Sequence, residues 1–351
     1  MNRFCLSMLL TALILVAPLA VFVAPEGAYL IDERRRPAEF PDWPEKIRSR
    51  SVKNFFRGIE AFWADHFPGR ATLLALAANL HITTGLADMD KCYPGRENWL
   101  FLGDSYGLGV SKLCGDVFLA PDALKRQTVR YKKMDEAARA VGAEFAIFIG
   151  PNKSSVYPEY LPPVIIPAPE RFVTPLVASL QQKGLKVYDP TDHLKRRKDK
   201  GLFYYRAGTH WNALGAYEAF AGFLDYMGLP PLPPLTLTAS QDLAIGNNEL
   251  VDMCGYVDFP LTTGDSFELN WQVPLEWRNE GGNYLNAQAT TDKSVWLFGD
   301  SFVNALRPYL AATFKEVKFF LAGEKIEAVL SAGETGPDLV ILEIVERGFG
   351  D

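Results

Sequence analysis

Serine and histidine are the residue types of this 351-residue chain that stand in a pattern capable of chemistry. Gly-Asp-Ser occurs three times, at 103–105, 264–266 and 299–301. A serine becomes a nucleophile when a tight turn holds its hydroxyl exposed after a buried strand. A following helix can then aim its first amides at the developing oxyanion. Only Ser301 has that setting, because Val295 to Phe298 reads as a strand and Val303 to Phe314 as a helix. Ser266 follows Thr262 and Thr263 in polar sequence, where the triplet is ordinary turn chemistry. Ser105 follows a strand-like run, but a Gly-rich loop comes next instead of a helix.

A serine hydroxyl needs a base to take its proton during attack, and histidine suits that task near neutral pH. Of the four histidines, His66 and His81 lie in a helical segment and His193 in a charged stretch. His210 lies in Gly208-Thr209-His210-Trp211-Asn212, a loop running into a helix, and is the candidate base. Asn152 and Lys153 follow the strand-like run Phe145 to Ile149, so they face the same sheet edge as Ser301. Together with Arg206 and Asp300 they are candidates to bind substrate or stabilise an oxyanion. Lys153 also reads as a solvated lysine in a turn. No Cys/His spacing forms a metal site, and no cofactor is implied.

Thr209-His210-Trp211-Asn212 with Gly215-Ala216, and later Gly299-Asp300-Ser301-Phe302, resemble the histidine and serine motifs of the alginate O-acetyltransferase (AlgJ/AlgX-type) family, in the same order. Glu33-Arg34-Arg35 before Phe40-Pro41, Asp65 to Arg70, Asn98 to Leu102, Pro151-Asn152-Lys153 with Tyr157-Pro158, and Pro337-Asp338 with Glu346-Arg347 agree with it. The resemblance implies an SGNH-hydrolase-like domain that moves an acetyl group through an acyl-serine to a sugar hydroxyl of an exopolysaccharide. It also implies an integral-membrane acyltransferase as the acetyl-supplying partner. In that family the histidine motif carries an aspartate that orients the imidazole, and here the position is Gly208. Three readings follow: a Ser301/His210 dyad oriented by a backbone carbonyl, a carboxylate supplied from elsewhere such as Asp189 or Asp192, or a chain without catalysis. Under the dyad reading, Gly208→Asp should raise turnover or leave it intact. Esterase activity with the same residues, and a non-catalytic glycan-binding or scaffold subunit, are the rival functions.

The elements that must position these residues are short apolar runs at Trp99–Leu102, Phe145–Ile149, Leu185–Tyr188, Val295–Phe298, Val317–Leu321 and Leu339–Val345. Helical stretches at 122–141, 175–183, 213–227 and after Ser301 separate several of them. Continuously apolar strands alternating with helices predict a three-layer α/β/α, flavodoxin-like domain with a mainly parallel sheet. Residues 229–293 are Pro-rich and polar, and predict an irregular excursion with little regular structure. Phe4 to Ala24 carries no charge and is long enough for a transmembrane anchor or signal segment over residues 1–25. A linker and helical neck over 26–90 and the acetyltransferase domain over 91–351 follow.

The anchor places the domain at the inner membrane facing the periplasm, or free in the periplasm if the segment is cleaved. Arg34 to Arg36 run against that orientation. A net charge of −6 excludes a general nucleic-acid binder, which needs a basic footprint. Lys195 to Lys200 reads as a charged helix end more than a polyanion contact. In an oxidising compartment Cys92 and Cys114 would bridge the loop between them, for roughly 3 kcal/mol of stabilisation.

Overall fold

The computed structural model describes residues 38–43, 49–66, 73, 76, 80 and 90–350, apart from 242–246, 255, 257–258, 262, 274, 276, 281–282, 322 and 333–335. The anchor expected over residues 1–25 lies outside these. Among the described residues no helix is long and apolar enough to cross a membrane.

The described strands are β1 (Cys92–Pro94), β2 (Leu100–Leu102), β3 (Glu144–Gly150), β4 (Lys186–Tyr188), β5 (Leu235–Ala239), β6 (Phe267–Trp271), β7 (Trp277–Glu280), β8 (Asn283–Asn286), β9 (Thr291–Gly299), β10 (Phe314–Leu321) and β11 (Leu339–Val345). The helices are α1 (Ser49–His66), α2 (Gly109–Cys114), α3 (Pro121–Ala140), α4 (Lys153–Val156), α5 (Thr174–Gln182), α6 (Thr191–Arg196), α7 (Ala213–Met227), α8 (Glu249–Cys254), α9 (Val303–Thr313) and α10 (Ile326–Ala332).

Packing divides the chain into residues 1–88 with 251–259, and residues 89–250 with 260–351. In the first unit α1 carries aromatic residues at helical spacing. Phe62 meets Phe40 at 5.2 Å and Phe55 meets Trp43 at 4.9 Å, both edge-on. The Ala38 amide donates to the Asp65 carboxylate over 2.7 Å.

The second unit is built on a seven-stranded sheet of order β4-β3-β11-β9-β10-β8-β7. From β4 to β10 the strands run parallel, and β8 and β7 extend the β10 edge antiparallel, so the sheet is mixed. β3 and β11 are apolar and buried almost throughout because both their faces are covered. On one face α3, α5 and α10 bury Tyr131, Leu176, Leu180, Ile326 and Leu330 against Ile147, Phe298 and Val340. On the other, Phe223 of α7 stacks on Phe148 of β3 at 5.0 Å, and Tyr309 of α9 donates to the Ala213 carbonyl of α7. This is the three-layer arrangement the strand-helix rhythm predicts.

Residues 229–293 depart from expectation. They hold the antiparallel pair β5–β6, the β7–β8 extension of the main sheet and helix α8. β5 and β6 alternate between half-buried and exposed residues with much polar sequence, so no apolar run announces them. The cysteine expectation fails as well: Cys114 is free, while Cys92 and Cys254 are both disulfide-bonded.

Candidate active site

Four strands deliver chemistry-bearing residues at their carboxyl ends, the edge where sites in open α/β sheets collect. β3 leads to Asn152 and Lys153, β4 to Asp189, β9 to Ser301, and β11 to Glu346 and Arg347. At the end of β9 the turn is tight: a Cβ on Gly299 would lie 2.3 Å from Val303 Cγ2 and 2.9 Å from Glu343 Oε2, so only glycine fits. Asp300 then fixes the elbow. Its Oδ1 accepts from the Phe302 amide over 2.9 Å and its Oδ2 from the Val345 amide over 3.0 Å, which ties β9 to β11. Beneath it Glu343 is fully buried and accepts from the Asp300 amide over 3.2 Å. Burial, then the neighbouring Asp300 charge, pushes its carboxyl well above the usual range. The result is a nucleophile elbow with an exposed Ser301 at its tip and α9 beginning two residues later.

His210 reaches that serine from the loop before α7, its Nε2 lying 2.7 Å from Ser301 Oγ. Three features hold the loop. Asn212 caps α7, accepting from the Gly215 amide over 2.9 Å while its Nδ2 donates to the Leu202 and Asp265 carbonyls. Trp211 Nε1 donates to the Phe302 carbonyl over 3.0 Å and so couples the histidine loop to the elbow. Lys153, 5% exposed, donates from Nζ to the carbonyls of Tyr205 (3.0 Å), Arg206 (2.9 Å) and Gly208 (2.6 Å). Burial pulls its ammonium down to about 7, against the opposing pull of Glu249 and Asp265.

The carboxylate behind the histidine is Glu249, at the head of α8, with Oε1 3.0 Å from His210 Nδ1. The Thr209 hydroxyl and amide also donate to Glu249, and Asn247 Nδ2 lies 3.3 Å from the same ring nitrogen. Burial raises the Glu249 carboxyl, but the hydrogen bond and charge of His210 and the two Thr209 bonds outweigh it and hold it at about 2. With an ionised acceptor at Nδ1, that nitrogen carries the ring proton and Nε2 is left to accept from Ser301.

This arrangement overturns the carboxylates proposed from sequence. Asp189 is bound to Arg171 over 2.6 Å and to Thr191, and Asp192 is an exposed residue of α6; neither is a partner of His210. The other readings of Gly208 change too. A Cβ there would lie 2.4 Å from the Asn247 carbonyl oxygen, so the space an aspartate would need is filled by the segment that brings Glu249 in. Asp300 and Lys153 are spent on the elbow and on the histidine loop, which removes them as direct substrate or oxyanion ligands. Arg206 enters through its main chain, its amide donating to Asp265 and its carbonyl accepting from Leu100 and Lys153. Asn152 accepts at Oδ1 from Arg347 over 3.1 Å, which orients the amide and leaves Nδ2 as a donor.

The other two Gly-Asp-Ser triplets are structural. Asp104 accepts from the Val110 and Ser111 amides at the head of α2, and Asp265 supports Arg206 and Asn212 with Ser266 buried beside it. In the charged run, Arg197 and Lys200 pair with the buried Glu218, and Lys198 with Glu159. Among the described residues no cluster of His, Cys, Asp and Glu could hold a metal.

Residues 92–226 match the SGNH hydrolase-like domain of the acetyltransferase AlgX. That match spans less than half of the chain, and over this span the chain is similar to the AlgJ/AlgX-type proteins whose motifs it resembles. Solved structures share the fold. The O-acetyltransferase domain of Pseudomonas putida AlgJ superposes with a TM-score of 0.51 at 16% identity, over 74% of this chain and 92% of that one. Bacillus cereus PatB1 with a sulfonyl adduct gives 0.54 at 12% identity, over 73% and 94%. A DHHW family protein from Eubacterium siraeum gives 0.53 at 12%, over 72% and 89%. Comparison with curated proteins returns no match. The AlgX-type match ends at residue 226, before both Glu249 and Ser301, so the complete relay is read from this chain's own geometry.

Proposed function

We propose that the chain is a serine O-acyltransferase of the AlgJ/AlgX type that acetylates a polysaccharide. The observation that carries this is the unbroken line from Ser301 Oγ to His210 Nε2 (2.7 Å) and from His210 Nδ1 to Glu249 (3.0 Å). Ser301 attacks the donor's acetyl carbonyl as its proton passes to His210, which returns that proton to the leaving group. A sugar hydroxyl then attacks the acetyl-serine, His210 takes the hydroxyl proton, and Ser301 Oγ leaves and recovers it. Glu249 stabilises the imidazolium in both steps. The eleven-residue helix α9 begins just beyond Ser301 and places its positive end toward the oxyanion. No cofactor is needed.

The scaffold alternative drew on Gly208 as a missing acid, and Glu249 at the ring nitrogen removes that ground. Hydrolysis by water uses the same three residues, so an esterase differs only in what takes the acyl group. The apolar run Phe4 to Ala24 supports an exported, membrane-tethered enzyme at the periplasmic face. Acetyl-CoA is not expected there, so an integral-membrane acyltransferase supplies the donor.

The test is intact-mass analysis after reaction with a fluorophosphonate, and then with an activated acetyl ester plus an oligosaccharide. One adduct on the parent, none on Ser301→Ala, and acetyl appearing on sugar in preference to water are expected. Equal labelling of Ser301→Ala would sink the assignment, and acetate release without sugar acetylation would make the chain an esterase.

A further inference from the structure

Beyond the carboxyl ends of β3, β4 and β11 lies a cleft of ≈ 550 Å³ whose lining includes none of Ser301, His210 and Glu249. It adjoins the relay through two of its lining residues, Asn152 and Arg347. The Arg347 guanidinium donates to Asn152 and lies 5.8 Å from the ring centre of Phe302, the residue after the nucleophile. A volume of this size falls within the range of about 300–1,000 Å³ of clefts that bury a small organic ligand.

We propose that this cleft seats the acceptor of the acyl transfer, and that the acceptor is a neutral hexose polymer and not a polyuronate; this rests on the acyltransferase reading above. The charge inventory carries the choice. Four lining cations, Lys112, Arg171, Lys195 and Arg347, face four anions, Glu170, Asp189, Asp192 and Glu346, for a sum of zero (4 − 4). The buried and half-buried cations are already committed. Arg171 bridges Asp189 at 2.6 Å and Glu346 at 2.8 Å. Lys112 donates to the Arg347 carbonyl over 2.6 Å and lies over the Phe172 ring. Arg347 holds Asn152 and lies in the field of Asp300, Glu343 and Glu249. Lys195 is left at the exposed rim, on the same short helix as the exposed Asp192 and with the exposed Glu170 also on the lining.

A chain with a carboxylate on every ring requires surplus positive charge along its path, and this cleft has none to give. A neutral sugar asks for something else: a few directed polar groups and apolar surface for its C–H faces. Asn152 Nδ2, Ser154 and the Oε1 of Gln181 offer the first. Pro158, Pro167 and Pro169 offer the second.

Binding can be measured apart from turnover. The full chain carrying Ser301→Ala is titrated by calorimetry with a β-1,4-linked glucose hexamer and with a mannuronate hexamer. The glucose hexamer should bind at least tenfold more tightly, with little salt dependence. Ala178→Trp, an exposed substitution on the α5 wall of the cleft, should weaken that binding at least tenfold. In the parent background the same substitution should leave the rate of fluorophosphonate labelling at Ser301 unchanged. Equal or tighter binding of the mannuronate hexamer, binding of neither, or binding indifferent to Ala178→Trp overturns the proposal. Failure of Ser301 to label in the parent refutes the acyltransferase reading instead, whatever the calorimeter reports.

Discussion

Replacing Glu249 by glutamine keeps the size of the side chain and removes the charge behind His210. The carboxyl is held at about 2 against an ordinary 4.5. At about 1.4 kcal/mol per unit, that difference corresponds to roughly 3 kcal/mol in favour of the charged carboxylate, shared between His210 and the two Thr209 bonds, so the part that serves the imidazolium is worth up to about 10²-fold in rate. The tautomer adds to this. A glutamine amide can donate to Nδ1, which moves the ring proton to Nε2, where it faces the serine instead of accepting from it. In a serine protease the same acid-to-amide change costs about 10⁴ in turnover. Labelling of Ser301 by a fluorophosphonate should therefore slow by between about 10² and 10⁴ in Glu249→Gln, and less in Glu249→Ala, where Thr209 and Asn247 still flank the nitrogen. Gly208→Asp should not rescue Glu249→Ala, because its Cβ would lie 2.4 Å from the Asn247 carbonyl. A loss below tenfold in Glu249→Gln, or rescue by Gly208→Asp, would refute the role given to Glu249.

Lys153→Met should lower the melting temperature and slow Ser301 labelling, since it removes the donor to the Gly208 carbonyl and one of two donors to the Tyr205 and Arg206 carbonyls, at about 1–3 kcal/mol for a group left buried and unpaired; unchanged melting and labelling would remove Lys153 as the loop's anchor. Burial and Asp300 raise the Glu343 carboxyl in the folded state, so the folded chain keeps a proton over a pH range, above the ordinary carboxylate value, in which the unfolded chain has released it, and stability falls as pH rises through that range. Glu343→Gln should abolish a slope of up to about 1.4 kcal/mol per pH unit, so thermal unfolding from pH 5 to 8 should show the variant gaining on the parent as pH rises, and parallel profiles would contradict the buried pair. Among the cysteines the structure describes, non-reducing peptide mapping should return Cys114 as a free thiol with Cys92 and Cys254 oxidised, and a peptide joining Cys92 to Cys114 would show the fold to be wrong there.

Much of the scaffold is legible in the sequence because β3, β11 and the second half of β9 are buried on both faces and therefore read as largely apolar runs. The elbow is legible for a related reason: strand, Gly-Asp-Ser and helix are contiguous. The proximity of His210 to Ser301, 91 positions apart, is suggested only by the motif around each. Glu249 escapes because nothing local ties it to a histidine 39 residues upstream, and the strands that surround it are short, polar and half-exposed. Asn247-Asn248-Glu249-Leu250 does carry a signal, a helix start with an acid in its first turn, but many surface helices begin the same way. Lys153 is misread for the opposite reason. A lysine in a turn is ordinarily solvated, and only the packed structure shows three carbonyls and the rings of Trp99 and Phe101 around it.

The gap at Gly208 and the acid at Glu249 are two halves of one exchange. The histidine requires a negative charge at a point in space, and the chain is free to deliver it from either side of the ring, but not from both. An ancestor crossing from one arrangement to the other would meet a barrier, since an aspartate at 208 collides with the returning segment while a glycine there without Glu249 leaves the imidazole unsupported. The two positions should therefore evolve in lockstep, and related chains should carry an acid at one or at the other. A scan that demands an aspartate two residues before the histidine would discard every member of the second kind as dead.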